Sequence, residues 1–297
     1  MMKNPNILII CSWSYDNPLV HRYVLPYLEP IKNHTGKEAN IHLMTYETDA
    51  ATQISNSKIR LNDIEITWVP VRYTPLSLRG WWLYLRQVMF VRKYCSSNQI
   101  NVIHSFAPVA GAVAWLSSRI SRYKFVLDSW EPHAEPMVET GVWKRSSMAF
   151  RILWKLEKWM AKDADYLIAA HREMVNYAWQ KWKIQPRQIA YRPACVDTAD
   201  FDPLQFNRER LRQAIGANHN TIICVCASQL GGMYYFDETL RFFEQCRQRW
   251  GNRFLAILLT PTPTDTIRQR AKKLGLTLDF VQIKRCAPHE VPALLAV

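Results

Sequence analysis

The chain has 297 residues, enough for two ordinary domains that each bury a core. Hydrophobic residues make up 48% and charged residues 21%, which excludes a disordered chain. Lys and Arg number 38 against 25 Asp and Glu; the resulting +13 favours anionic partners such as nucleotide phosphates, nucleic acid or acidic lipid headgroups.

The longest uninterrupted apolar stretch, Phe106 to Leu116, contains a proline and a glycine and falls short of the roughly 20 residues that span a bilayer. At the amino terminus only Ile7 to Cys11 form an apolar core, too short for a secretory signal, so a cytoplasmic protein is expected. Seven cysteines without a C-x-x-C pair fit a reducing compartment. Cys224 and Cys226 alternate along one apparent strand, as packing residues do, and no H-E-x-x-H pair occurs among eight histidines. Neither a metal nor another cofactor is signalled.

In chain order, Asn6 to Cys11 reads as a strand buried on both faces. A helical pattern follows over Val20 to Ile31, then strands at Asn40 to Tyr46 and Ile64 to Val69. A basic, aromatic helix over Leu78 to Tyr94 leads to a strand at Ile100 to His104. Next come a helix over Val109 to Ile120, a strand at Lys124 to Asp128 and a long loop from Ser129 to Arg145. Helix Ser146 to Lys162, strand Ala164 to Ala170, helix Glu173 to Lys183 and strand Gln188 to Tyr191 complete a first unit. This alternation predicts a doubly wound parallel sheet, which holds ligands beyond the carboxyl ends of its strands.

Arg192 to Asn207 carries Pro193 and Pro203 and reads as a linker, giving domains 1–205 and 206–297. Helix Arg208 to Ile215, strand Thr221 to Ala227, helix Phe236 to Trp250 and strand Phe254 to Leu259 open the second. Helix Thr264 to Leu274, strand Thr277 to Ile283 and a helical start at His289 close it. About three strands are fewer than the five or six of a doubly wound domain, so this domain is expected to be incomplete at Val297.

The turn after the first strand, Cys11-Ser-Trp-Ser-Tyr-Asp-Asn-Pro18, lacks the G-x-G-x-x-G of a dinucleotide site, which argues against a nicotinamide-dependent oxidoreductase. Asp128 to Trp143 is the densest chemical stretch, with four carboxylates, an imidazole and two indoles. Such groups can polarise sugar hydroxyls and stack on sugar faces; they would also suit a polar surface loop with Asp128 capping a turn. Gly231 and Gly232, between a strand and a helix, fit either a diphosphate approached by backbone and helix N–H groups or a plain turn. Arg151, Lys155, Lys158 and Lys162 form a basic stripe beside Met148, Ile152, Leu156 and Trp159. With Arg79, Trp81, Trp82, Arg86, Arg92 and Lys93 it could dock on anionic lipid or remain a solvated face, and Trp81 and Trp82 could equally be core.

The Ile100-Asn-Val-Ile-His104 strand end, the Asp128-Ser-Trp-Glu-Pro-His133 loop and Leu156-Glu157 leading into Ala164-Asp165 follow one another in a familiar order. With Arg192-Pro-Ala-Cys-Val-Asp197, Phe201, Pro203 and Leu230-Gly-Gly-Met-Tyr-Tyr235, the chain resembles a family 4 glycosyltransferase over nearly its whole length. The resemblance implies the GT-B fold, two Rossmann-like domains facing a cleft, and retaining transfer of a sugar from a nucleotide diphosphate, usually without metal. It implies a saccharide or lipid-linked acceptor held by the first domain and a donor held by the second.

On this sequence Asp128, Glu131 and His133 become the catalytic candidates, Ser228, Gln229, Gly231 and Gly232 the donor-side ones, and Ser12, Trp13, His104 and Arg172 the acceptor-side ones. The family's paired glutamates, late in the second domain, would lie beyond Val297. The leading expectation is a cytoplasmic transferase, peripheral to a membrane, for surface polysaccharide or glycolipid assembly. The alternative is a catalytically silent truncated relic, or a module that binds glycans or anionic membranes. Nucleic acid is not an expected partner, because the basic residues are spread over separate helices with no accompanying motif.

Overall fold

In the first strand, β1 (Asn6–Cys11), alternate residues serve two cores: Leu8 and Ile10 face one, while Ile7, Ile9 and Cys11 face the other. The computed structural model describes residues 5–35, 39–47, 57–61, 63–72, 81–121, 123–231 and 234–297, apart from the side chains of residues 81–83 and 129. The helix expected over Val20 to Ile31 is a π turn at Val20–Val24, a 3-10 turn at Leu25–Tyr27 and then α1 (Leu28–Thr35). Pro26 has no N–H to continue an α-helical ladder, so the segment changes its winding there.

Beside β1 runs β2 (Asn40–Glu47). An unforeseen strand, β3 (Ser57–Leu61), pairs antiparallel with β4 (Ile64–Arg72) at the sheet edge. Its pattern is weak because only Ile59 and Leu61 turn inward, while Lys58 and Arg60 face water. Helix α2 (Trp81–Ser97) then leads to β5 (Val102–Phe106), and α3 (Ala107–Ser118) to β6 (Lys124–Trp130).

The predicted loop from Ser129 is thus strand as far as Trp130, and it also contains α4 (Ala134–Glu139). Trp130 is wholly buried against Tyr177 and Trp182, which removes it as a sugar-stacking surface. Helix α5 (Met148–Asp163) starts at Ser147, whose hydroxyl accepts the Phe150 N–H at 3.2 Å. It is followed by β7 (Tyr166–Ala169), α6 (Met174–Trp182) and β8 (Ile189–Tyr191).

The strand order is β3-β4-β2-β1-β5-β6-β7-β8, parallel except for β3. From β1 the chain steps to β2 on one side and later returns to β5 on the other, so the topological switch point lies between β1 and β5. Helices α2, α3, α5 and α6 cover one sheet face; α1 and the turns before it cover the other.

The second sheet has three parallel strands among the described residues, with Phe254–Leu259 in the middle, between Ile222–Ala227 and Val281–Lys284. In chain order its unit holds α7 (Arg208–Ala214), β9 (Ile222–Ala227), α8 (Phe236–Trp250), β10 (Phe254–Leu259) and α9 (Thr264–Lys273). Last come β11 (Val281–Lys284) and α10 (Val291–Leu295). The strand expected from Thr277 begins only at Val281, because Leu276 and Leu278 pack inward before pairing starts. In β10, Phe254, Ala256 and Leu258 face α8 and α9, while Leu255, Ile257 and Leu259 face the side of Ile215 and Leu294.

By contacts the chain divides into one compact unit of Met1–Glu135 and Arg145–Cys195 and another of Pro136–Lys144 and Val196–Val297. Among the described residues no helix is long and apolar enough to cross a membrane.

Small residues let α3 lie close to the sheet. A Cβ on Gly111 would sit 2.7 Å from Leu127 Cδ1 and 3.0 Å from Met160 Sδ, both fully buried side chains. Gly111→Val should therefore destabilise the first unit by about 1–3 kcal/mol through overpacking, read as an earlier urea midpoint by tryptophan fluorescence. An unchanged midpoint would mean that the layer can spread.

Candidate active site

The carboxyl end of the first sheet gathers its chemistry around one buried carboxylate. Asp128 lies on β6 opposite Phe106 of β5, and its side chain is only 3% exposed. Its Oδ2 accepts a hydrogen bond from His104 Nε2 at 2.8 Å, and its Oδ1 accepts one from Arg192 Nη2 at 2.6 Å. Because the carboxylate is acceptor-only, it fixes the His104 proton on Nε2.

Arg192 follows β8, and its backbone N–H binds the Ala169 carbonyl of β7 at 3.0 Å. Its side chain passes over β7 to reach β6. The guanidinium carbon lies 3.7 Å from the centre of the Tyr27 ring and 5.6 Å from that of Tyr23. Its Nε and Nη1 are buried there without hydrogen-bond partners among the described residues. His104 in turn stacks on Phe106, with centroids 4.9 Å apart.

Two further features mark the switch point. Ala107, just after β5, holds φ at +64°, a left-handed conformation that costs a non-glycine residue about 1 kcal/mol or more. Ser12, just after β1, has a buried hydroxyl with no partner among the described residues. Trp13 is less available: it packs on the core, and its carbonyl accepts the Tyr46 N–H at 3.1 Å.

Glu131 and His133 lie in the short stretch between β6 and α4. A second buried carboxylate, Glu157 on α5, holds this stretch: its Oε1 accepts the N–H of His133 at 2.6 Å and that of Ala134 at 3.1 Å. Burial pushes the Glu157 pKa up to about 7 against the opposing pull of those two N–H groups, with the nearby Glu135 charge adding to the rise. Glu135 is itself fixed by Tyr177 at 2.5 Å and Lys181 at 3.0 Å. Glu131 is exposed and approaches His171 at 3.9 Å, while Arg172 lies over the Tyr191 ring at 5.8 Å.

The structure thus brings Asp128 and His104 together and puts Glu131 and His133 on the adjoining stretch. It adds Arg192, Tyr27 and Glu157, which the sequence reading did not place in the site. Arg192 had a readable signal, since it stands one residue past a strand at the carboxyl end of the sheet. Glu157 had another, as a lone acid among the buried positions of an amphipathic helix.

The donor-side candidates lie in the second unit. The Ser228 N–H binds the Leu259 carbonyl at 3.0 Å, and its hydroxyl binds the Gln229 carbonyl at 2.8 Å; Gln229 is exposed. Gly231 adopts φ +95° and exchanges backbone hydrogen bonds with Tyr234 at 3.0 and 3.1 Å, so its N–H is already engaged. Gly232 lies outside the described residues. The first turn of α8 carries Asp237 and Glu238, and Asp237 is held by Arg270 through two 2.6 Å bonds. Among the described residues no three His, Cys, Asp or Glu side chains gather as a metal-ligand set.

Known structures share this architecture. A sucrose-phosphate synthase from Thermosynechococcus elongatus is 14% identical with a TM-score of 0.65, over 98% of this chain and 73% of its own. A UDP-forming α,α-trehalose-phosphate synthase from Burkholderia vietnamiensis is 10% identical with a TM-score of 0.66, over 98% and 75%. Anabaena HepE, solved with UDP and glucose, is 14% identical with a TM-score of 0.64, over 98% and 71%. The fold is the GT-B fold of glycosyltransferases. Residues 37–195 match the family described as glycosyl transferase 4-like domain, and the chain belongs to that family. No curated protein matches it in sequence.

Burial raises the Asp128 pKa, but the hydrogen bonds and charges of His104 and Arg192 outweigh it and hold the carboxyl below its ordinary 3.8. The unfolded chain therefore binds the proton first on acidification, and the ion pair's stabilisation, complete above pH 3.8, is lost as pH falls through the folded-state value. Asp128→Asn should cost roughly 3 kcal/mol at neutral pH and flatten that acid limb in urea unfolding. Equal acid limbs in mutant and wild type would contradict the pairing.

Proposed function

We propose that the chain transfers a hexosyl group from a nucleoside-diphosphate sugar to a saccharide or lipid-linked acceptor, with retention at the anomeric carbon. The observation that carries this reading is the His104–Asp128–Arg192 cluster at the carboxyl end of the sheet, in the unit that matches the glycosyl transferase 4-like family. HepE is described with UDP and with UDP-glucose, and the trehalose-phosphate synthase as UDP-forming, which makes UDP-sugars the first donors to test.

In this reading the first unit carries the acceptor and the groups nearest the reacting sugar. Asp128 works as a fixed charge: its low pKa and two strong partners make it a poor proton acceptor at neutral pH. It orients His104, which meets the sugar. Glu131 and His133 contact sugar hydroxyls from a stretch held by Glu157. Ser12, Trp13 and Arg172 serve the acceptor. In the second unit Ser228, Gln229, Gly231 and Gly232 meet the donor; since the Gly231 N–H is taken by Tyr234, side chains and other amides supply the phosphate contacts. No metal is required, and the product serves surface polysaccharide or glycolipid synthesis. Seven cysteines present as thiols suit work in the cytoplasm.

The test is to incubate the protein with UDP-, GDP- and ADP-sugars and a panel of saccharide and lipid-linked acceptors, in chelator, and to follow nucleoside diphosphate release and the product anomer by proton NMR. One donor should turn over without metal and with retention, and His104→Ala should slow it about a hundredfold through loss of positioning. A protein that binds none of these donors would overturn the proposal in favour of a binding module. An inverted product would overturn retention alone.

A further inference from the structure

Helix α5 presents an outward stripe that a solvated helix does not need. Met148, Ile152 and Trp159 follow one another at helical spacing and are 62%, 46% and 42% exposed. At the same helical spacing stand Arg151, Lys155 and Lys162, all exposed, whose side chains have no ion-pair or hydrogen-bond partner among the described residues. A helix face adapted to water interleaves acids with such cations at i,i+4. Here the only carboxylates of α5 are Glu157, fully buried, and Asp163, which is tied to Trp115 at 2.9 Å and Arg119 at 3.6 Å.

The neighbouring helices extend the same chemistry. α3 packs between the sheet and solvent in contact with both α2 and α5, and Trp115 of α3 stacks on Trp159 at 5.5 Å. α2 contains no acidic residue and exposes Met89 and Phe90 beside Arg86 and Lys93. Apolar and cationic side chains therefore share one helix layer on one face of the first sheet, opposite the face covered by α1.

We infer that this layer, centred on α5, docks on an anionic lipid surface. Charge complementarity names the occupant: cations draw the layer to acidic headgroups, each contributing about fivefold in affinity, while the exposed Met, Ile and Trp side chains enter the headgroup and acyl boundary. A nucleic acid would use the cations and leave those apolar side chains in water. Docking goes beyond the transfer reaction and does not depend on it.

The experiment is co-sedimentation of the full chain, without donor or acceptor, with vesicles of phosphatidylcholine alone and with one part phosphatidylglycerol to two of phosphatidylcholine. Binding to the anionic vesicles should exceed binding to the neutral ones by at least about tenfold and weaken with salt. The exposed pairs Arg151→Glu with Lys155→Glu, and Met148→Ser with Ile152→Ser, should each lower it at least about tenfold, with circular-dichroism melts unchanged. Equal binding to both vesicles, or none, would overturn the inference. So would a serine pair that binds like wild type, or duplex DNA that competes equally with and without the serine changes, since either would make the partner a polyanion and not a bilayer.

Discussion

A carboxylate almost sealed from water ends the working part of β6, and the arrangement around it follows from keeping it charged. An isolated ion at Asp128 would take up a proton to escape its burial. His104 from β5 and Arg192 from beyond β8 prevent that, so three strand ends are tied to one pair of oxygen atoms. Arg192 is anchored at β7 by its backbone N–H to the Ala169 carbonyl, and its side chain lies on the sheet face that carries Tyr23 and Phe106. Tyr27 and Tyr23 complete the enclosure with ring faces, the surface a delocalised guanidinium prefers when it has few hydrogen-bond acceptors.

The same logic recurs a short distance along the chain. Glu157 spends one oxygen on the first N–H groups of α4 and leaves the other buried without a partner, a costly arrangement that fixes the backbone of His133. The left-handed Ala107 and the unpartnered Ser12 hydroxyl add strain and unsatisfied polarity where the strand order reverses. In the proposed transfer, charge develops on the sugar and the leaving group as the bond breaks, and a rigid, desolvated cluster of this kind would meet it with dipoles already in place.

Much of this was legible in the residues. Apolar runs such as Asn6 to Cys11 and Phe254 to Leu259 admit little besides buried parallel strands, and the alternation with helices points to doubly wound sheets, while the GT-B fold is what the resemblance implies. The weak points share a cause: local pattern carries no record of tertiary partners. β3 has two inward apolar residues and was invisible, and the segment at Val20 changes winding at Pro26. α4 exists because Glu157 caps it from a distant helix, which no window around Ala134 can reveal. Asp128 and His104 were found as strand-end residues, but Arg192 looked like the start of a linker because its partner lies 64 positions earlier. The indole of Trp130, read as a sugar platform, belongs to the core because the strand runs two residues further than its pattern.

The tie between Asp128 and Arg192 is tested most directly by a double-mutant cycle on stability, with Asp128→Asn and Arg192→Met alone and combined, each unfolded in urea at neutral pH. If the ion pair organises the site, the double mutant loses less than the sum of the single ones, by about 2 kcal/mol or more. Additivity within about 0.5 kcal/mol would show that the two side chains do not depend on each other, and the account of the strand ends built on them would fail.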